Sequence, residues 1–508
     1  MGHSRPSRLR RVDPLFEIKI DLPAKGSRQS SASVHRQLKT AIMDGRLMPG
    51  MKLPATRRSA AVFGISRNTA AQIYERLKIE GHVVTRHGSG CYVADRILAP
   101  PRAPQRRRRS SVENHLNNFW LRPDITAAMS FWRDPPAVPA RQSKSPPLDM
   151  RPAMVDSRLF PLGLFRRVSA RQLRGLERKP ASYKSAQGNQ GNFYLRHAII
   201  KHIALTRAVV CQPEDVLVTS GAQQAFDLLA RVLVTPGHTV VALEDPGYPP
   251  MRVGFAAAGA KLVSIGVDDE GLIVDDLPQD TDVICVTPSH QFPLGITMSV
   301  RRRRALIEFA RRRGAVIIED DYDGEFRLDG GPLEALRTAD AADVVFYVGT
   351  FSKCMLSAFR LGFIAAPDWA MPTLVAAKNC LDWHTATPIQ SAVAGFISGG
   401  HLARHVRKMR AVYKQRRESL LKCLEEDVAE WLRPIPSLYG LHIAATARTH
   451  INLERATELL LRRNVKLHTL SRYFLGQQTR NGLIFGYGTV DVPQIRRGVG
   501  LLRKALQA

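Results

Sequence analysis

The 508-residue chain carries a lysine at the end of GTFSK, residues 349–353, thirty residues after the acidic run EDDYD at 319–323. An uncharged lysine amine can hold an aldehyde as a Schiff base. A buried carboxylate nearby can keep a ring nitrogen protonated, so that the ring withdraws electrons from whatever the aldehyde has captured. Lys353 and Asp320, the latter at the end of the apolar run AVIIED, are of the right types for these two tasks. TSGAQQ at 219–224 reads as a strand-to-helix turn whose free amides, around Gly221, Ala222 and Gln223, can point at a dianion. Thr350, Ser352 and Arg360 add hydroxyls and a guanidinium fork. Aldehyde, ring nitrogen and phosphate together describe pyridoxal 5'-phosphate (PLP).

The elements that must position these residues are those of an α/β protein. Short apolar runs, DVLVTS (215–220), TVVALED (239–245), DVICVTP (282–288), AVIIEDD (315–321) and DVVFYVG (343–349), alternate with helical stretches such as AQQAFDLLARVL and RRRRALIEFARRRG. That alternation predicts a mostly parallel sheet. A long helical pattern from His401 to about Glu426, then LHIAATA, a helix near 451–463, and LIFGYG before a final helix, predict a smaller α+β lobe.

The N-terminal texture is different. SVHRQLKTAIMDG has one apolar face, Val34, Leu38, Ile42 and Leu47, and its helix stops at Gly45. LPATRRSAAVFG follows with Thr56 as a helix cap, and ISRNTAAQIYERLKIEG opens on Ser66 as the next cap and closes at Gly81. HVVTRHGSGCYVA then alternates about Gly88, Ser89 and Gly90 as a β-wing does. A helix that enters a major groove presents short polar and cationic residues at its first turn, and Ser66, Arg67, Asn68 and Thr69 stand there. The predicted division is a winged helix-turn-helix at 28–95, a Pro/Arg-rich linker at 96–148 and the α/β domain at 149–508. Six arginines and three prolines between Arg96 and Ser111 predict that the linker is extended and charged.

Charge agrees with a polyanion partner. The net charge is +29, with 27 basic against 10 acidic residues through Leu148 and 47 against 35 after it. The N-terminal surplus suits phosphate neutralisation better than a small acidic substrate. RRRR at 106–109 lies in the linker, where it can touch DNA phosphates, and RRRR at 301–304 begins a helix and reads as a solvated face. With no apolar run of 18 residues and no signal segment, a cytoplasmic chain without a membrane partner is expected. The six cysteines form no CxxC pair, which argues against a disulfide framework and a zinc site. His401 and His405 stand one helical turn apart without a third ligand, so no metal is expected.

LMPGMKLPATR, ISRNTAAQIYERLKIEG and RHGSG together resemble a GntR-type winged helix, and the chain from about Asp149 resembles a fold-type I aminotransferase. Joined, they resemble the MocR/PdxR-type transcriptional regulators. That resemblance implies that Arg57 touches backbone phosphate and that His87 and Gly88 reach a minor groove. It implies Tyr322 at the cofactor's ring hydroxyl, Tyr248 stacked on the ring, and Tyr183 in SYKSAQG reaching the phosphate of the neighbouring subunit in a homodimer. The function implied is regulation of transcription at a double-stranded operator with two half-sites, in response to PLP or a small amine. The second reading is an aminotransferase with an accessory DNA-binding-like domain.

Two departures from the enzyme pattern bear on that choice. Where transaminases carry an NPTG turn, SHQFPLG at 289–295 places Phe292 at the Asn position, with His290 and Gln291 matching the regulators. LIFGYG at 483–488 lacks the arginine that grips a substrate carboxylate, and leaves Arg480 and Arg252 as candidates. A substrate without that grip loses the orientation that directs proton transfer.

Overall fold

The computed structural model describes residues 30–86, 88–94, 116–131, 147–178, 188–329, 333–448 and 450–508. The chain divides into two compact units between Leu116 and Asn117. His87, Tyr183 and Arg106 to Arg109 lie outside the described residues.

The first unit contains α1 (Ser30–Met43), α2 (Thr56–Val62), α3 (Arg67–Ile79) and an antiparallel pair, β1 (Val83–Arg86) with β2 (Gly90–Val93). Val34, Leu38, Ile42 and Leu47 are all buried and pack with Phe63, Ile73, Leu77, Val83 and Val93, as the helical period requires. Ser66 caps α3 by accepting the Thr69 amide at 3.0 Å. Thr56 differs from expectation: it is the first residue of α2, and Ala55 precedes it with no side-chain cap.

The second unit begins inside the stretch expected to be an extended linker. Asn117 accepts the Phe119 amide at 3.0 Å to start a 3₁₀ turn at Asn118–Leu121, and Pro123 opens α4 (Pro123–Met129). Phe131 then buries itself beside Tyr473 and Tyr248. Three apolar anchors, Phe119, Ile125 and Phe131, suffice to dock so short a segment, and they are too few to register as a period in a Pro/Arg-rich context.

After β3 (Leu148–Asp149) come α5 (Leu162–Arg178), α6 (Phe193–Arg207), β4 (Val216–Thr219), α7 (Ala222–Leu233), β5 (Val240–Asp245) and α8 (Pro249–Ala257). There follow β6 (Lys261–Asp268), β7 (Gly271–Leu272), β8 (Val283–Val286), α9 (Val300–Arg313), β9 (Val316–Asp321), β10 (Val345–Thr350) and β11 (Gly362–Ala365). The large sheet runs β4-β11-β10-β9-β8-β5-β6-β7; the central strands are parallel, while β11 opposes both its neighbours. Strands covered on both faces read as unbroken apolar runs, which is why all five expected strands fall at their predicted places.

The smaller lobe is an antiparallel sheet of β12 (Leu432–Pro434), β13 (His442–Ala447), β14 (His468–Thr469) and β15 (Gly482–Gly486) in the order β12-β13-β15-β14. The helix His401–Asp427 and the helix Val492–Leu506 pack with it into one core. Among the described residues, no helix is long and apolar enough to cross a membrane. RRRR at 301–304 corrects its expected role. Arg302 and Arg303 are buried: Arg302 pairs with Asp268 at 2.7 Å, and Arg303 donates to the carbonyls of Met298, Glu334 and Pro288.

Phe131→Ala should remove the anchor that holds α4. Deleting a buried phenyl costs about 3–5 kcal/mol, more than so short a segment can recover from its remaining contacts. Limited proteolysis should then cut within 117–131 in the variant and spare that stretch in the wild type.

Candidate functional site

Five strands end at one edge of the sheet, where the crevice beyond parallel strands collects ligand-binding side chains. Register makes the arrangement definite: Thr219 of β4 lies opposite Gly362 of β11, Gly362 opposite Thr350 of β10, and Val348 of β10 beside Asp320 of β9. A cavity of about 550 Å³ opens there, and it is lined by Ala222, Gln223, Tyr248, Asp320, Tyr322, Thr350, Ser352, Lys353 and Arg360. The structure thus brings nine of the residues named from sequence to one wall. Phe226, Phe292, Ser357, Ala358 and Ala153 to Val155 complete the lining.

Lys353 is half-buried and donates from Nζ to the carbonyl of Ala153 at 2.5 Å. The enclosed setting pushes its ammonium down to about 8, against the opposing pull of Asp323 and Asp320. Asp320 is buried, and its Oδ1 has no hydrogen-bond partner. Burial pushes its carboxyl well above the usual range, reinforced by Asp321 and Asp323. A carboxylate in this position is incomplete without a cationic or N–H donor in the cavity.

At the other end, Gly221 precedes α7 with φ +85°, and a Cβ there would lie 2.8 Å from Nη2 of Arg360. Only glycine leaves that space open. Arg360 donates to the carbonyl of Ser220 at 3.2 Å, and Thr350 Oγ1 donates to Ser352 Oγ at 2.9 Å. Amides of the first turn of α7, two hydroxyls and a guanidinium thus converge where a dianion would be held. The unsatisfied Asp320, the open cradle at Gly221 and the lysine amine fit PLP.

Tyr248 meets Phe292 edge-on, with ring centroids 5.7 Å apart. The Tyr322 hydroxyl is already engaged: it donates to the carbonyl of His290 at 3.0 Å and lies 2.8 Å from His290 Nδ1. His290 Nδ1 also meets Asp323 Oδ2 at 2.9 Å, and the His442 ring lies tilted against it with centroids 4.7 Å apart. His290, Asp323 and His442 place one ligand atom each within 4.8 Å of one another, a cluster sequence reasoning did not assemble. Gly440, with φ +80°, is what admits it, since a Cβ there would fall 2.0 Å from the His290 ring. Neither arginine proposed for a substrate carboxylate lines the cavity: Arg480 donates to the Val267 carbonyl, and Arg252 to that of Tyr473.

In the first unit, Ser66, Arg67 and Asn68 are exposed at the start of α3 and Thr69 is half-buried. The Ser66 and Thr69 hydroxyls bond each other at 2.8 Å, so Arg67 and Asn68 carry the outward polar groups. Arg57 is exposed on α2, and Gly88, with φ +70°, turns the wing.

The family model for bacterial regulatory proteins of the gntR family matches residues 30–93, and that for aminotransferase class I and II matches residues 165–450. The chain is 31% identical to the probable rhizopine catabolism regulatory protein MocR of Rhizobium meliloti, over 95% of each chain. The chain belongs to the MocR-type regulators of the gntR family. This regulator is also 29% identical to the HTH-type pyridoxine biosynthesis transcriptional regulator PdxR of Corynebacterium glutamicum, over 91% of this chain and 92% of that one. Its second unit shares the fold of kynurenine aminotransferase from Pyrococcus horikoshii, with a TM-score of 0.69 and 24% identity over 78% of this chain and 98% of that one. It is a DNA-binding transcriptional regulator whose larger domain has the aminotransferase class I and II fold, a fold that implies dependence on PLP.

The lowered Lys353 amine sets a pH dependence. The uncharged form is the nucleophile, so its fraction rises with pH and saturates above about 8 instead of above the ordinary 10.5. On mixing apoprotein with PLP, the visible absorbance band should form at a rate that climbs to a plateau above about pH 8. Lys353→Ala should form no such band at any pH in the stopped-flow record.

Proposed function

We propose that this regulator is a homodimer that holds PLP on Lys353 and changes its engagement of an operator when PLP, or a small amine reacting with it, occupies the cavity. The observation that carries the reading is the combination on one wall of an enclosed lysine amine, a carboxylate without a partner and a glycine cradle beside Arg360. Bound there, PLP supplies an aldehyde that captures amines and a ring that withdraws electrons.

The residues then divide the work. Lys353 offers the amine, and Asp320 would accept a hydrogen bond from the protonated ring nitrogen and so hold the proton on that nitrogen. Tyr322, steadied by His290, faces the ring hydroxyl, and Tyr248 covers a ring face. Gly221, Ala222 and Gln223 present amides to the phosphate, with Thr350, Ser352 and Arg360. Tyr183 of the partner subunit completes it. Lys353 and Arg360 are the cations among the described lining residues, which favours sensing over completed transamination, since a transaminase fixes the substrate carboxylate as well.

On DNA, Arg67 and Asn68 read base edges, Ser66 and Thr69 shape the turn, Arg57 meets phosphate, and His87 with Gly88 enters the minor groove. A dimer presents two such heads, so the operator carries two half-sites and gains from bivalent binding.

Arg67→Ala should cost about 1–3 kcal/mol on a natural operator and leave binding to random duplex nearly unchanged in matched-salt titrations. Equal loss on both duplexes would reassign Arg67 to phosphate. Coupling is read separately. Operator affinity of the wild type should differ between apo and PLP-loaded forms by about 1–3 kcal/mol, whereas Lys353→Ala should give one curve with or without PLP. Superimposed curves for all four samples would remove the sensor reading.

A further inference from the structure

A second cavity, of about 750 Å³, lies between α4, α8 and the turn at 472–476. Its walls are largely carbon, supplied by Phe119, Ile125, Phe131, Val253, Leu262 and Phe474. Arg252 lines it and is only 9% exposed. Seven arginines are buried among the described residues, and six of them are bonded to a carboxylate or to at least two carbonyl oxygens. Arg252 is the exception. Among the described residues, its guanidinium makes one hydrogen bond, from Nη2 to the Tyr473 carbonyl at 2.8 Å.

The acids nearby are occupied. Asp245, whose charge favours the guanidinium, accepts the Leu475 amide on Oδ1 at 2.8 Å and the Gly476 amide on Oδ2 at 2.9 Å. Asp124, on the α4 wall, pairs with Arg122 at 2.7 Å. Burial pushes the Arg252 guanidinium down to about 10. The remaining donors of this fork open onto the cavity, where an anion can take them. Arg472, 5.9 Å above the Phe131 ring, adds a second positive charge to the same wall.

We propose that this cavity is a second ligand site, separate from the cofactor cavity, for a small organic carboxylate with a flat apolar body. The carboxylate lies on Arg252, whose planar fork matches it bidentately. The apolar body lies against Phe131 and Phe474, in a space of the size that small-molecule sites use. Because α4 forms one wall, a ligand there holds residues 117–131 against α8. Ligand binding thereby stabilises the docked form of the segment that follows the winged helix in the chain.

Isothermal titration of the full-length protein with 3-phenylpropanoate tests the site, with 3-phenylpropanol as the same body without the carboxylate. Wild type and Lys353→Ala should bind the acid alike and the alcohol at least about tenfold more weakly. Arg252→Met should lose at least about tenfold, with a thermal melt confirming that it folds. Ala256→Phe, which fills the cavity from α8 and leaves the guanidinium in place, should lose binding as well. Equal affinity for acid and alcohol, undiminished binding by Arg252→Met or Ala256→Phe, or binding that requires Lys353 would each overturn the proposal. The last outcome would put the probe in the cofactor cavity, and failure of PLP binding alone would leave this site standing.

Discussion

Five carboxylates, Glu244, Glu319, Asp320, Asp321 and Asp323, are buried at one edge of a single sheet, and the surrounding structure is shaped by the need to keep that charge tolerable. Desolvation would neutralise or expel most of them without partners. Asp321 has Arg207 at 2.6 Å and the Tyr347 hydroxyl, and Glu319 accepts the amides of Leu336 and Arg337. Glu244 takes the Thr287 hydroxyl at 2.6 Å and is pushed by burial to about 7, and Asp323 has His290. Asp320 alone among the five makes no hydrogen bond of its own to the described residues. The turns, the arginine from α6 and the histidine between the lobes give each of four acids at least one partner, and leave the fifth for whatever enters the cavity.

Much of this was legible in the sequence because burial on both faces of a parallel sheet leaves a plain mark. The strands ending at Thr219, Asp245, Asp321 and Thr350 are unbroken apolar runs, and their polar ends mark the crevice. Lys353, Asp320 and Arg360 were found because strand ends concentrate chemistry. The His290, Asp323 and His442 cluster was not found, since its members come from three elements and meet only where Gly440 leaves room. Arg302 and Arg303 were misplaced for a different reason. They share a helix face with the buried Leu306, Phe309 and Ala310, so period alone points inward, and their charge was read as solvation.

Those buried arginines also alter the meaning of the net charge. Arg151, Arg196, Arg207, Arg252, Arg302, Arg303 and Arg416 face carbonyls and acids inside the second unit. Part of the surplus after Leu148 is therefore internal and adds little to the outer field. Arg57 and Arg67 on the winged helix are exposed, and the charge felt by a polyanion is weighted towards that unit more than composition indicates.

Ala153 holds φ at +57°, a conformation that side-chain-bearing residues rarely adopt, while its carbonyl receives the Lys353 ammonium. It lies a few residues after β3, which pairs with Val465–Lys466 beside the smaller sheet. The lysine thus serves as a latch between the catalytic-type edge and a strand held by the other lobe. Any chemistry that consumes its amine competes with that carbonyl for the same nitrogen. One nitrogen thus answers both to the carbonyl of a left-handed turn and to whatever enters the cavity.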